Sequence, residues 1–138
     1  MFRIISLIAG LLFSINLFAS PLSLNANIDS KIMVTDDDGV EHIFDQPVMR
    51  IVSLMPHATE LLFEVGAGEH VVGAVKYSDY PEAAKNIPRV GGYSALNIEA
   101  IIALEPDLLI AWPEGNRSRE LERLKALGLP ILVSDPRE

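Results

Sequence analysis

Four aromatic side chains fall in loop-type sequence next to short apolar runs. Tyr77 and Tyr80 bracket a Ser-Asp pair in YSDYP, after the run VVGAV, and Trp112, the only tryptophan, leads PEGN after the run LLIA. Tyr93 lies in a Gly-Gly-Tyr-Ser segment. Each ring combines a flat apolar surface with one polar group. Any one of them is equally well explained as a cap on the core, but together they suit a bulky, planar, partly apolar ligand.

The elements that position these rings alternate between strand and helix. Apolar runs predict strands at 50–54, 71–75, 108–112 and 131–134. Helices are predicted at 56–65, where Pro56 begins the helix and Gly66 ends it, at 98–105 with Asn97 as N-cap, and at 117–127 with Asn116 as the opening residue. A hairpin over 31–44, with Asp38-Gly39 as its turn, precedes them.

Strands that are apolar throughout indicate a sheet covered on both faces, and the strand–helix–strand order indicates parallel, right-handed crossovers. The predicted fold is therefore α/β: a doubly wound, mainly parallel, Rossmann-like sheet preceded by a small β-hairpin. In such sheets ligands bind beyond the carboxyl ends of the strands, which is where YSDYP and WPEGN fall.

The N-terminus is typical of an export signal. A short cationic start, an apolar run over 4–18 and the small residues Ala19-Ser20 predict a signal peptide over 1–19, with an uncleaved membrane anchor as the alternative. Residues 20–30 are expected to be flexible, 31–138 to form the ligand-binding domain, and the location to be periplasmic. Removing Arg3 with the signal lowers the formal charge from −8 to −9, which argues against nucleic-acid binding. Without cysteine there is no disulfide, thiolate nucleophile or Cys-based metal site.

The segment from RIVSLMPHATE to EPDLLIAW resembles the N-terminal lobe of cobalamin-binding periplasmic proteins. These are the substrate-binding components of ABC importers in the siderophore, haem and cobalamin class. RIVSL-x-P-x-x-TE-x-L and EPDLLI mark the class, whereas YSDYP and AW-x-x-GN point to cobalamin. The resemblance covers roughly residues 31–138, hairpin included.

The resemblance implies roles for individual residues. Tyr77 would contact the ligand, and Trp112 would pack on the corrinoid or its nucleotide loop. Tyr93 stands where the family often has tryptophan. Glu99 matches a glutamate that engages arginines of the membrane permease, although an acid in a first helical turn is also explained by the helix dipole. The full set of expected ligand-binding residues is Tyr77, Ser78, Asp79, Tyr93, Trp112, Gly115 and Asn116.

The expected partners are cobalamin or a related corrinoid and an ABC transporter permease, with peripheral docking only. Cobalamin is expected as a transported ligand, with no resident cofactor, metal or catalytic residue, and the protein is expected to be a monomer. Family members resemble two lobes joined by a long helix. This sequence stops at SDPRE, so we expect a truncated or fragment chain that lacks the second lobe. An open half-site buries less ligand, and weak binding is expected from this chain alone.

Other interpretations start from the same sequence. The scaffold could carry an iron siderophore or haem, or act as a ligand sensor without transport. A small exported α/β hydrolase would use Ser53 and His57, but the G-x-S-x-G elbow is missing. GAGEHVVG has its helix and strand in the wrong order for a dinucleotide fingerprint. DDDGVEH is better explained by its Asp-Gly turn than by a metal site.

Overall fold

The computed structural model describes residues 31–92 and 95–135, so the expected signal peptide (1–19) and flexible segment (20–30) lie outside the described residues. Within the described ranges, no helix has the length and apolar character needed to cross a membrane. The elements are β1 (Ile32–Thr35), β2 (Glu41–Phe44), β3 (Ile51–Ser53), α1 (Pro56–Glu64), β4 (Val71–Ala74), β5 (Gly91–Gly92), β6 (Ala95–Leu96), α2 (Ile98–Ala103), β7 (Leu108–Ala111), α3 (Ser118–Ala126) and β8 (Ile131–Val133), with 3-10 helices at Gly68–His70 and Glu82–Asn86.

The central sheet has the strand order β4-β3-β7-β8, and all its pairs are parallel. The chain moves from β3 to one side, then crosses over to β7 and continues to β8 on the other side. Right-handed crossovers in opposite directions place α1 on one face and α2 and α3 on the other. The predicted doubly wound α/β fold with a preceding hairpin is confirmed.

Successive strand residues face opposite layers. On the face covered by α2 and α3, Val52 and Leu109 are fully buried against Ile101 and Leu124 of the helices. Fully burying one such side chain stabilises the fold by about 1.5–3 kcal/mol. On the other face, Ser53 of β3 accepts a hydrogen bond of 2.9 Å from the Thr59 hydroxyl of α1. The apolar strands are thus covered on both sides, as their composition predicts.

The helix ends follow from local hydrogen bonding. Asn97 caps α2 as predicted, its Oδ1 accepting from the Ala100 N–H at 3.0 Å. The helix ends at Ala103, two residues earlier than expected. The Arg50 guanidinium, before β3, donates to the carbonyl of Leu104 at 2.6 Å and to that of Glu105 at 3.2 Å. These bonds satisfy carbonyls that the helix end leaves free.

A short antiparallel pair, β5 and β6, lies in a segment that the sequence predicts to be irregular loop. Gly91 has φ 127°, and a Cβ there would lie 2.8 Å from the Leu96 Cα. Only glycine allows this close approach of two backbones. The pair holds the start of α2 beside β4, since Lys76 N–H donates to the Gly91 carbonyl at 2.8 Å.

A buried carboxylate is one of the groups that tie the hairpin of β1 and β2 to the sheet, beside the Asp37 N–H, which donates to the Val133 carbonyl at 3.2 Å. Asp36 is 7% exposed, and its Oδ1 accepts from the N–H groups of Asp38 and Val40 within the turn. Its Oδ2 accepts from His42 Nε2 at 3.0 Å and from the N–H of Val133 in β8 at 3.2 Å. Asp36 therefore joins the hairpin to the edge strand of the sheet.

The ionised form of Asp36 is favoured. Burial alone would raise the pKa of this carboxyl, but the hydrogen bonds from His42, Val40 and Val133 outweigh burial and hold the pKa below its ordinary value of 3.8. A lowered pKa contributes stability that is present above the unfolded pKa and is lost as the pH falls through the folded pKa. Attachment of the hairpin should therefore weaken in acid below about pH 4.

Replacement of Asp36 by asparagine should lower the free energy of unfolding by about 2 kcal/mol near neutral pH, because an amide N–H₂ would face two donors. Urea unfolding of Asp36→Asn and the unaltered protein measures this difference. It should shrink as the pH falls from about 4 towards 2, since Asp36 is then protonated in both folded and unfolded chains. Asp38→Asn, at an exposed turn residue, is the control and should change stability little. An Asp36→Asn difference that does not depend on pH would contradict the role assigned to the carboxylate.

Candidate functional site

The strand order defines one preferred ligand edge. Chain direction across the sheet reverses between β3 and β7, and in open parallel sheets the crevice at this reversal lies beyond the carboxyl ends of the strands. Leu54 follows β3 and Trp112 follows β7 at this edge. Tyr77 follows β4, on the other side of β3, by three positions. The topology therefore brings two of the predicted aromatic residues to one edge.

The Asn116 side chain joins the two strand ends by hydrogen bonds. Its Nδ2 donates to the Leu54 carbonyl at 2.9 Å, and its Oδ1 accepts from the Trp112 N–H at 2.8 Å. The side chain is buried, with 8% of the residue exposed. The prediction that Asn116 opens α3 is wrong: the helix begins at Ser118 with Arg117 as N-cap. The amide satisfies backbone groups of two strands instead of those of the helix, and its hydrogen bonding to a ligand stays a prediction.

Trp112 packs flat on its own loop. A Cβ at Gly115 would lie 2.7 Å from Cζ3 of the indole and closer still to Cε3, so only glycine leaves room for the ring there. The Trp112 carbonyl accepts from the N–H groups of Gly115 and Asn116 at 3.0 and 2.8 Å, which forms the turn. Trp112 is half-buried, and its Nε1–H is shielded from solvent and has no hydrogen-bond partner among the described residues. Gly115 leaves the space that the Trp112 ring occupies in this orientation.

Tyr77 has a strained backbone and an exposed side chain. Its φ is 70°, in the left-handed region that a bulky residue adopts at a cost of about 1–2 kcal/mol. The residue is 72% exposed. Hydrogen bonds on both sides fix this conformation, from Lys76 N–H to the Gly91 carbonyl and from Ser78 N–H to the Val75 carbonyl. Strain maintained for a side chain that packs on little else favours a functional role.

Ser78 and Asp79 belong to the same loop, in which Ser78 is buried and Asp79 forms an ion pair. Ser78 is 1% exposed, and its Oγ has no hydrogen-bond partner among the described residues. Asp79 pairs with Arg89 at 3.0 Å. The Arg89 guanidinium also donates to the carbonyls of Ser78, Ala84 and Ile87 at 2.9–3.1 Å. Whether Ser78 and Asp79 reach a ligand stays a prediction.

Sequence reasoning did not single out Arg89, which organises the whole YSDYP loop. Its partners are mostly backbone carbonyls, and every residue has one, so the sequence does not show which of them Arg89 binds. The only available signal was an arginine in a loop that also contains an aspartate, and that pattern is common on protein surfaces. Such a guanidinium, half-buried and bound to four oxygens, is a fixed structural support.

Glu99 lies on the exposed surface of α2, whereas Tyr93 lies outside the described residues. Glu99 lies in the first turn of α2 with its side chain 79% exposed, and its Oε1 is 3.7 Å from Nη2 of Arg123 on α3. This long, exposed ion pair contributes little to stability and leaves the carboxylate open to another partner. Tyr93 lies outside the described residues, so its predicted place at the edge is an expectation only.

Ser53 and His57 do not form a nucleophile–base pair. The Ser53 hydroxyl is fully buried, donates to the Met55 carbonyl at 2.9 Å and accepts from Thr59. His57 is exposed in the first turn of α1 and is not among these partners. Within 31–92 and 95–135, no group of three or more His, Asp or Glu side chains could hold a metal ion. In DDDGVEH, Asp36 bonds to His42 and to the backbone of the turn, as described above.

Several known proteins are similar to this chain. The family model described as periplasmic binding protein matches residues 51–138. A vitamin B12-binding protein of Vibrio campbellii (strain ATCC BAA-1116) is 48% identical over 88 residues, which are 64% of this chain and 32% of that protein. One of Yersinia pestis (strain Pestoides F) is 47% identical over 91 residues, covering 66% of this chain and 32% of that protein. The chain thus spans about a third of the length of the curated relatives it matches.

Solved structures agree with these sequence relationships. The periplasmic vitamin B12 binding protein of Vibrio cholerae superposes with a TM-score of 0.61 at 48% identity, covering 63% of this chain and 34% of that one. A periplasmic haem-binding protein of Roseiflexus sp. RS-1, in its apo form, gives a TM-score of 0.60 at 34% identity, covering 64% and 34%. The matched segment runs from β3 through β8, which build the ligand edge. The chain belongs to the periplasmic binding protein family.

Proposed function

We propose that this protein captures cobalamin or a related corrinoid in the periplasm and delivers it to an ABC importer. The observation that carries the proposal is the placement of Tyr77 and Trp112 beyond the strands that flank β3, at one edge of the sheet. Their motifs, YSDYP and AW-x-x-GN, lie in the segment that is 48% identical to proteins named for vitamin B12 binding. The proposal includes export by a signal peptide over 1–19, outside the described residues, and action as a monomer.

The proposed mechanism is non-covalent. A corrin ring is broad, flat and partly apolar, and the faces of Tyr77 and Trp112 offer surfaces of the same character. The indole Nε1–H of Trp112 is shielded from solvent, so this ring offers the ligand its apolar face. A ligand held by such contacts undergoes no reaction, and the occupied hydroxyl of Ser53 supports binding over hydrolysis.

Haem or an iron siderophore is the second candidate ligand. The Roseiflexus neighbour, named for haem binding, has nearly the same TM-score as the vitamin B12 binding protein of Vibrio cholerae. The higher sequence identity of the latter, 48% against 34%, favours the corrinoid.

Isothermal titration of the purified protein with cyanocobalamin, haemin and a ferric siderophore tests the choice. We expect cyanocobalamin to bind with a Kd of roughly micromolar order, because the edge is an open surface in the described residues. Haemin and the siderophore should bind at least about tenfold more weakly, a difference of about 1.4 kcal/mol. Tighter binding of either iron ligand than of cyanocobalamin would contradict the proposed ligand.

Exchange of Tyr77 for asparagine should separate binding from stability. Asparagine tolerates the left-handed backbone, so the free energy of unfolding should stay the same or rise by up to about 1 kcal/mol. Cyanocobalamin affinity should fall about tenfold as the aromatic face is lost. Thermal unfolding and titration of Tyr77→Asn measure both, and Tyr80→Asn in the same loop, at an exposed tyrosine with ordinary φ, is the matched control. A Tyr77→Asn protein that keeps its affinity would remove Tyr77 from the site.

Docking to the permease is proposed to use Glu99. Two exposed glutamates offer a matched pair of variants, since Glu99 is bonded to Arg123 and Glu122 to Lys125. We expect Glu99→Gln to weaken association with a vitamin B12 importer in lipid nanodiscs about fivefold or more, and Glu122→Gln to leave it unchanged. Surface plasmon resonance measures the association. Cyanocobalamin affinity should be equal in both variants. If both variants lose importer binding equally, the loss comes from the change in net charge and Glu99 has no specific role in docking.

A further inference from the structure

The hairpin exposes apolar side chains on both of its faces. Met33 and Ile43 lie directly opposite each other on one face and are 60% and 56% exposed. Ile32 and Val34, on the other face, are 38% and 37% exposed. Single apolar side chains on a surface are normal, whereas a contiguous group marks an interaction site. A two-stranded hairpin is also marginally stable by itself, so pairing with a further strand would stabilise it.

β1 is the outer strand of the hairpin. β2 lies towards the central sheet: its residue His42, with a largely buried side chain, lines a cavity of about 320 Å³ together with Ile131 and Val133 of β8. All four residues of β1 are exposed, and none of them belongs to the described lining of that cavity. One edge of β1 therefore faces away from the central sheet.

The backbone of this outer edge is free to pair. In an antiparallel ladder, hydrogen-bonded and non-hydrogen-bonded pairs alternate. The Asp36 N–H donates to the Val40 carbonyl at 3.0 Å, so the backbone groups of Val34, two residues earlier, also face the inner strand. Those of Met33 and Thr35 point away from it. Within 31–92 and 95–135, β1 pairs with β2 alone, and no backbone hydrogen bond joins Met33 or Thr35 to another element.

We propose that β1 pairs with β1 of a second copy of this chain, antiparallel and centred on Met33. The charges around the strand fit this partner. β1 carries no charge in a chain of formal charge −8, Lys31 directly precedes it, and the exposed Asp37 and Asp38 follow it in the turn. Antiparallel pairing brings Lys31 of each copy beside the acidic turn of the other, whereas parallel pairing would bring like charges together. The exposed ion pair of Lys31 with Asp45, at 3.9 Å, is too weak to prevent this exchange.

The pairing is self-complementary along the whole strand. A twofold axis at Met33 joins two hairpins into one four-stranded sheet, in which the two copies of Met33 are opposite each other. Ile32 of each copy is opposite Val34 of the other, so apolar side chains meet on both faces. One strand pair buries less than the about 1,200–2,000 Å² of a stable interface, so we expect a Kd of roughly 0.1–1 mM. The protein is then a monomer at low concentration, and ligand capture at the opposite side of β3 and β7 does not depend on the pairing.

Sedimentation equilibrium of the purified protein at concentrations from about 0.01 to 1 mM measures the pairing. Met33→Lys places two ammonium groups opposite each other at the twofold axis and should raise the Kd of the dimer at least about tenfold. Ile43→Lys makes the same change on the same face of the inner strand, away from the second copy, and should change the Kd less than about twofold. Both side chains are exposed, so the two variants should have similar Tm. A protein that stays monomeric at every concentration, or equal weakening by both substitutions, would overturn the inference.

Cross-linking tests the register. The sequence contains no cysteine, so Met33→Cys introduces a single thiol. Cα atoms of a bonded antiparallel pair are about 5.5 Å apart, a distance that a disulfide spans. Diamide should therefore link two copies of Met33→Cys, whereas the two copies of Ile43→Cys lie about 14 Å apart, three strand spacings, and should stay unlinked. Equal linking of both variants contradicts the register. If the thiol of Met33→Cys is neither linked nor alkylated by iodoacetamide, the chain's own residues cover this edge, and the second copy is excluded as its partner.

Discussion

The side-chain amide of Asn116 holds together the two strand ends on which the ligand edge is built. It donates to the Leu54 carbonyl after β3 and accepts from the Trp112 N–H after β7, one backbone group from each strand end. Leaving either group buried and unpaired costs about 1–3 kcal/mol. A carboxylate would lack the N–H donor, and an aliphatic side chain would lack both the donor and the acceptor. The bridge therefore needs a carboxamide. The position of the indole at this edge depends on that one residue.

The same edge combines rigid support with local strain. Arg89 binds the carbonyls and the carboxylate of the YSDYP loop, and this fixed scaffold keeps Tyr77 in its unfavourable backbone conformation. Gly115 does the equivalent for Trp112 by leaving space for the ring. A loop backbone that is already fixed loses little conformational entropy when a ligand arrives. The periplasmic binding protein architecture supplies the edge, and a few residues around it fix the backbone that carries the rings.

The fold was predictable because its signals are local and repeated. Apolar strands, the Asn97 cap and the Asp38-Gly39 turn each determine their element from neighbouring residues, and the strand–helix alternation then fixes the parallel sheet. Element ends differ by one or two residues, which is the usual uncertainty at fraying termini. The placement of Tyr77 and Trp112 at one edge followed from the same alternation.

The interactions that sequence reasoning missed join distant segments. Asn116 was read as a helix cap because asparagine before a helix is usually one, whereas its partner Leu54 lies 62 positions away. Arg89 binds carbonyls, and the β5–β6 pair depends on a backbone contact at Gly91. Ser78 reads as a loop hydroxyl, but the residue is only 1% exposed. None of these depends on residue type alone.

The carboxylate of Asp36 has a consequence for the order in which the protein assembles. Its bond to Val133 spans 97 positions, and closing a loop of that length in an unfolded chain costs about 4 kcal/mol of entropy in its length-dependent part. Once β3, β7 and β8 lie side by side, the only free segment is the short link between the turn and β3. The length-dependent closure cost then falls to about 2 kcal/mol. We therefore expect the hairpin to attach after the sheet has formed as far as β8.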